Sequence, residues 1–236
     1  MLLSKNKRDE LRQSAEFNAT NNVWNEMNLN HVNNVGAVMA LVKNSKATTY
    51  EEWERYYLST GAKRLEKLPT VTDNKEKYNL NRFNGRTEEE LLEVAKKFAK
   101  GANLSVETAY NYVYCRVIDE TWVGYEKELR VLERIQSLCR LYPNLTASGV
   151  NSYTDTNYAV DFEVRKNRKV VLGIQLKSTK YRDSHLAAVN DVKRINHIKN
   201  TKYTNDFGAQ VLYLYYENDK IDNWIELMNT LDAITE

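Results

Sequence analysis

The chain has 236 residues, 42% of them hydrophobic and 28% charged, enough to bury a sizeable core and too apolar for a disordered segment. No run approaches the roughly 18 apolar residues of a membrane-spanning helix, and the opening MLLSKNKRDE has too short an apolar stretch for a signal peptide. Net charge is only +2, yet residues 163 to 203 hold eleven Lys or Arg against three acids, a local +8 that leaves −6 on the remainder.

That basic segment is the footprint of a surface facing nucleic acid, or of a plain solvated face. Cys115, Cys139 and the histidines His31, His185 and His197 form no zinc spacing. Both cysteines read as reduced core residues, which suits a cytoplasmic protein. Eight Gly and two Pro predict long regular elements.

The first 120 residues read as helical. TTYEEWERYYLS (48 to 59) opens with a Thr cap and acids in the first turn. NGRTEEELLEVAKKFAKGAN carries a capping box, Thr87 with Glu90, and Gly101 is expected to stop it. LSVETAYNYVYCRVIDETW starts again after Ser105, so the pair has the outline of a helix-turn-helix, although most such hairpins are packing units.

Residues 123 to 142 form an amphipathic helix ended by Pro143. LTASGV, NYAVDFEV and KVVLGIQLK have strand character, and RKNRK makes a hairpin of the last two. HLAAVNDVKRINHIKN is a helix, AQVLYLYY a strand and DKIDNWIELMNTLDAI a final helix. The order predicts an α/β fold with helices packed on a mixed sheet.

Asp161 is expected mid-strand in AVDFEV. In LGIQLKST, alternation puts Gln175 and Lys177 on one face, and hairpin pairing sets Asp161 beside them. A carboxylate and an amide oxygen suit a hard cation such as Mg²⁺, and an ammonium nearby can orient a water and offset charge on a phosphate. On the helix before, Tyr125, Leu132, Ile135, Cys139 and Tyr142 mark an apolar face with Glu128 near its middle. An acid there needs a partner or a metal.

GYEKE (124 to 128), Asp161 and GIQLK (173 to 177) together resemble the PD-(D/E)xK nuclease superfamily, and within it a type II restriction endonuclease. The resemblance covers about residues 121 to 217. It implies a restriction-endonuclease-like αβββαβ core, preceded by a helical N-terminal region. Asp161 would be the invariant metal-binding acid, Gln175 would stand at the second acidic position, Lys177 would be the catalytic lysine, and Glu128 would match the helix Glu of many members.

Val160 replaces the motif's Pro. Gln175 replaces Asp or Glu, as in some restriction enzymes, which leaves a deficit of negative charge that Glu128 or Glu163 could fill. TYEEWERYYL and IQLKSTKY are also faintly similar to small restriction enzymes that cut short palindromes.

Lys180, Arg182, Lys193 and Arg194 are the expected phosphate contacts, with His197, Lys199 and Lys202 beside them. Asn190, Asn196, Asn200 and Gln210 are candidates to reach base edges. The resulting expectation is a Mg²⁺-dependent enzyme that cleaves double-stranded DNA at a specific sequence. Residues 1–120 would serve recognition or dimerisation and 121–236 would be the catalytic core. A homodimer is expected, with a methyltransferase in the host to protect its DNA. The alternatives are a structure-specific repair or recombination nuclease, and an inactive DNA-binding protein on the same fold.

Overall fold

The computed structural model describes residues 1–27, 29, 32–66, 85–217 and 220–236. His31 lies outside them. The chain forms two compact units, Met1–Glu126 and Lys127–Glu236.

The first unit is helical: α1 Lys5–Arg12, α2 Ala15–Ala19, α3 Asn21–Glu26, α4 Val32–Ser45, α5 Tyr50–Glu66, α6 Glu88–Ala102 and α7 Val106–Tyr114. A π-helical turn, Cys115–Asp119, leads into α8, Glu120–Cys139, within which the unit boundary falls. No helix among the described residues is long and apolar enough to cross a membrane.

The capping box is present. Thr87 Oγ1 accepts from the Glu90 N–H at 3.3 Å, and Glu90 Oε2 accepts from the Thr87 N–H at 3.1 Å. Gly101 does not end α6. The helix runs through Ala102, and Asn103 turns left-handed at φ 53 while its N–H bonds to the Ala99 carbonyl. Asn tolerates that conformation because its short polar side chain bonds locally. Ser105 caps α7 by accepting from the Thr108 N–H.

From Ala109 to Tyr114 every residue of α7 is buried. That stretch packs inside the first unit's core and offers no face to a DNA groove, so the helix-turn-helix outline is a packing hairpin. Trp53, Tyr57, Leu91 and Phe98 are fully enclosed there, with edge contacts such as Phe17 against Tyr112 and Trp24 against Phe98.

The second unit continues with β1 Leu145–Gly149, α9 Ser152–Tyr158, β2 Phe162–Lys166, β3 Lys169–Ser178, α10 Thr179–Asp183, α11 Ala187–Phe207, β4 Gln210–Glu217, β5 Lys220–Ile221 and α12 Trp224–Thr235. The sheet order is β1-β2-β3-β4-β5, antiparallel except for the parallel β3–β4 pair. α11 supplies the crossover a parallel pair needs. The αβββαβ order of the sequence reading is therefore present, with α9, α10 and β5 added.

Asn167 and Arg168 join β2 to β3 with φ 52 and 70, the two left-handed residues a tight hairpin turn demands. Leu172, Ile174 and Leu176 pack with Val131, Ile135 and Leu138 of α8 and with Leu227 and Leu231 of α12. The opposite face of β3 meets α11. Gly173 is required there, because a Cβ would stand 2.8 Å from the Tyr203 ring.

One expected strand is corrected. NYAVDFEV is not extended throughout, because α9 ends at Tyr158, Ala159 is left-handed, and β2 begins only at Phe162. The Asn151 side chain accepts from the Thr154 N–H and starts α9, and the Ala159 N–H closes it on the Asp155 carbonyl. Asp161 thus stands at the entrance to β2, not in its middle.

Candidate active site

Three hydrogen bonds place Asp161. Its N–H donates to the Ile174 carbonyl at 2.8 Å, its carbonyl accepts from the Val150 N–H at 3.2 Å, and Oδ2 accepts from the Leu176 N–H at 2.7 Å. The carboxylate takes the place of a strand partner where β2 leaves the ladder. Its bonds to Ile174 and Leu176 flank Gln175.

Gln175 is 2% exposed and points under α11, where its Oε1 lies 3.5 Å from the end of the Asn200 side chain. Across the β3–β4 pair it faces Tyr213. Lys177 is partly buried on the same side, opposite Tyr215, with its Nζ 5.7 Å from the centre of the Tyr181 ring. That is an aromatic contact for the ammonium, and Lys177 makes no ion pair among the described residues.

Glu128 is partly buried, one turn before Val131 and Leu132 on the side of α8 that packs on the sheet. Tyr216, which packs on that same side, has its phenol pushed above the usual range by burial and then by the charges of Glu128 and Asp161. Lys127 Nζ lies 4.3 Å from the centre of the Tyr216 ring.

The expected residues therefore fall into two groups. The charges of Asp161 and Glu128 both reach Tyr216 on the α8 side, whereas the Gln175 and Lys177 side chains lie on the α11 side. Asp161, in the plane of the sheet, is common to both. Sequence reasoning missed Tyr216 and Lys127. The signal was alternation in LYLYYE, which puts Tyr216 on the face of Leu212 and Leu214.

Glu163, a reserve ligand by sequence, does not face solvent. It is 6% exposed, with Oε1 accepting from the Tyr203 hydroxyl at 3.0 Å and Oε2 from Arg165. Among the described residues no three His, Cys, Asp or Glu side chains group closely enough to hold a metal ion.

The basic residues differ in their freedom. Lys180 is exposed on α10. Arg182 pairs with Asp183 and Asp222, which hold its guanidinium above the usual range, and it lies 5.2 Å from the Tyr215 ring centre. Lys193 donates to the carbonyls of Arg182 and Ser184, both at 2.9 Å. The Arg194 side chain is 69% exposed, with Asp191 at 4.0 Å. Lys199 donates to the Thr156 carbonyl, Lys202 lies over Tyr158, and His197 is exposed. Asn190 and Gln210 are exposed, but Asn196 and Asn200 are buried on the inner side of α11 and cannot reach bases from there.

No curated protein and no solved structure matches the chain. The family model described as MjaI restriction endonuclease matches residues 18–228, which includes every candidate site residue named above. The chain belongs to the MjaI restriction endonuclease family, and its activity is that of a type II restriction endonuclease, a site-specific deoxyribonuclease.

Proposed function

We propose that the enzyme hydrolyses both strands of a short DNA sequence in a Mg²⁺-dependent reaction centred on Asp161. The observation that carries this reading is the side chain of Asp161 on the Leu176 N–H, at the place where β2 and β3 part. This sets one carboxylate beside the strand of Gln175 and Lys177 and within the electrostatic reach of the same tyrosine as Glu128.

The donor chemistry suits Mg²⁺, which is commonly held through one or two carboxylates together with substrate phosphates and water. Asp161, common to both sides of the sheet, would hold it with Glu128 as the second carboxylate; the Gln175 amide oxygen would join only by turning from beneath α11 toward Asp161. When bound, the ion supplies Lewis acidity toward the scissile phosphate. Lys177 orients the attacking water and offsets the negative charge that develops on the phosphate. Lys180, Arg182, Lys193 and Arg194 contact the backbone of the duplex, which positions DNA without reading it. Two active sites cut a palindrome, so the working form is a homodimer, and the N-terminal unit supplies recognition or dimer contacts. A host methyltransferase protects the same sites.

Digestion of a plasmid of known sequence tests this. Discrete fragments with Mg²⁺ and intact plasmid with EDTA are expected. Lys177→Ala should bind the DNA and fail to cut it; cleavage by this variant at the wild-type rate would remove Lys177 from the mechanism. Gln175→Glu should tighten metal binding if the amide oxygen is a ligand, and leave it unchanged if the side chain only packs.

A further inference from the structure

Asn200 lies on the inner side of α11 and is 7% exposed. One orientation of its amide satisfies both ends, and amide orientation is assigned by such networks. The oxygen accepts from the Tyr213 hydroxyl at 2.7 Å, and the nitrogen donates to the carbonyls of Tyr158, at 2.8 Å, and Ala159, at 3.3 Å. Those carbonyls belong to the last residue of α9 and to the left-handed residue after it, two positions before Asp161. Tyr213 lies directly across from Gln175. A single buried amide thus ties the turn that delivers Asp161 to the strand beside the rest of the site.

A left-handed alanine at φ 53 crowds its Cβ against the backbone, so the turn gains from outside support. The backbone bond from Asp161 to Ile174 anchors only its far end. Packing alone would be met by an apolar side chain, whereas burying an amide is favourable only when it is bonded.

We infer that Asn200 is a positioning residue that sets where the Asp161 carboxylate stands against β3, and through it the affinity of the site for a divalent cation. This rests on the reading of Asp161 as a metal-binding acid. Asn196, one turn earlier, provides the contrast. It donates to the Tyr181 hydroxyl at 3.1 Å, on the Lys177 side and away from the turn before Asp161.

The test uses full-length protein without DNA and Mn²⁺ as the probe, with binding followed by electron paramagnetic resonance. The Mg²⁺ concentration for half-maximal cleavage and the urea midpoint are measured in parallel. Asn200→Asp keeps the acceptor for Tyr213 and removes the donor. It should weaken Mn²⁺ binding about 10- to 100-fold, the usual effect of losing a group that orients a ligand. Saturating metal should restore the cleavage rate to within a few-fold. Asn196→Ala should leave Mn²⁺ binding unchanged.

A folded Asn200→Asp variant that binds Mn²⁺ like the wild type overturns the inference. If that variant does not fold, Tyr213→Phe, which frees the other end of the amide, decides by the same readouts. Asp161→Ala separates the two levels. Should it bind Mn²⁺ and cut normally, the metal-site reading itself fails. A Mn²⁺ site that depends on Asp161 and is indifferent to Asn200 removes only the positioning role.

Discussion

In the N-terminal unit the side chains of Arg8 and Asp119 are 3% and 0% exposed and meet at 2.9 Å. Arg8 also donates to the Leu3 carbonyl and the Tyr50 hydroxyl, while Glu54 accepts from the hydroxyls of Tyr50 and Tyr114. Burial works against the Arg8 charge, but the hydrogen bond and charge of Asp119 outweigh it, and the guanidinium is held above its usual range. In the C-terminal unit, Asp161, Glu128 and Lys177 are only partly buried, and Lys177 rests on an aromatic ring with no carboxylate paired to it among the described residues. The first arrangement closes on itself and holds helices together. The second leaves the Lys177 ammonium, among the described residues, on an aromatic ring and not on a carboxylate, which suits the phosphate role proposed for it.

The sharpest way to break that contrast is a pair of substitutions. Asp119→Ala removes the fully buried partner of Arg8, leaving it only the Glu54 carboxylate at 3.4 Å, and should cost about 3 kcal/mol in urea unfolding. Lys177→Ala should change stability by less than about 1 kcal/mol, in line with a side chain at the surface of the core. Its cleavage rate should nevertheless fall by about 10²–10³, the scale of losing one preorganised electrostatic group. Equal destabilisation by the two would erase the distinction.

A smaller effect separates the basic residues. Arg194→Ala should lower DNA affinity across all sequences and reduce the slope of log affinity against log salt by about 1. Lys193→Ala should change that slope less, because its ammonium already serves two carbonyls at the start of α11. Binding isotherms at three salt concentrations distinguish them, and a larger slope change for Lys193 would reverse the assignment.

The smallest effect concerns the cysteines, which are buried one in each unit. Burial pushes the Cys139 thiol up to about 11. Burial, then the charge of Asp119, also raises Cys115. A raised thiol favours the protonated form in the fold. The associated stability is complete below the unfolded value, near 8.5, and for Cys139 is lost as pH rises toward about 11. A thiol reagent at pH 8 should label neither cysteine in native protein and both in urea; rapid native labelling would show that one of them is accessible.

Much of the architecture was legible. The capping box at Thr87, the RKNRK hairpin and the αβββαβ order all follow from short-range signals. Glu128 was correctly placed on the packed side of its helix, because a helical wheel needs only local periodicity. The entrance to β2 was not legible, because VDFEV alternates like a strand while the left-handed Ala159 before it is held by Asn200 on a distant helix. Asn196 and Asn200 looked like surface amides for reading bases. They turn inward because α11 presents that side to the sheet.

Short-range signals set most of the helices and strands, though not α9, the apolar side of each, and the nearness of Asp161 to the strand of Gln175 and Lys177. These follow from the repeats of two and 3.6 residues and from turn chemistry, all of them local. The packing of helices on the sheet sets the rest: Glu128 lies across the sheet from the Gln175 and Lys177 side chains, Tyr203 sequesters Glu163, and an asparagine on α11 bonds the turn before Asp161. Each of these depends on which face of the sheet a helix covers, and that is set by the crossover between β3 and β4, not by the residues on either side of the contact.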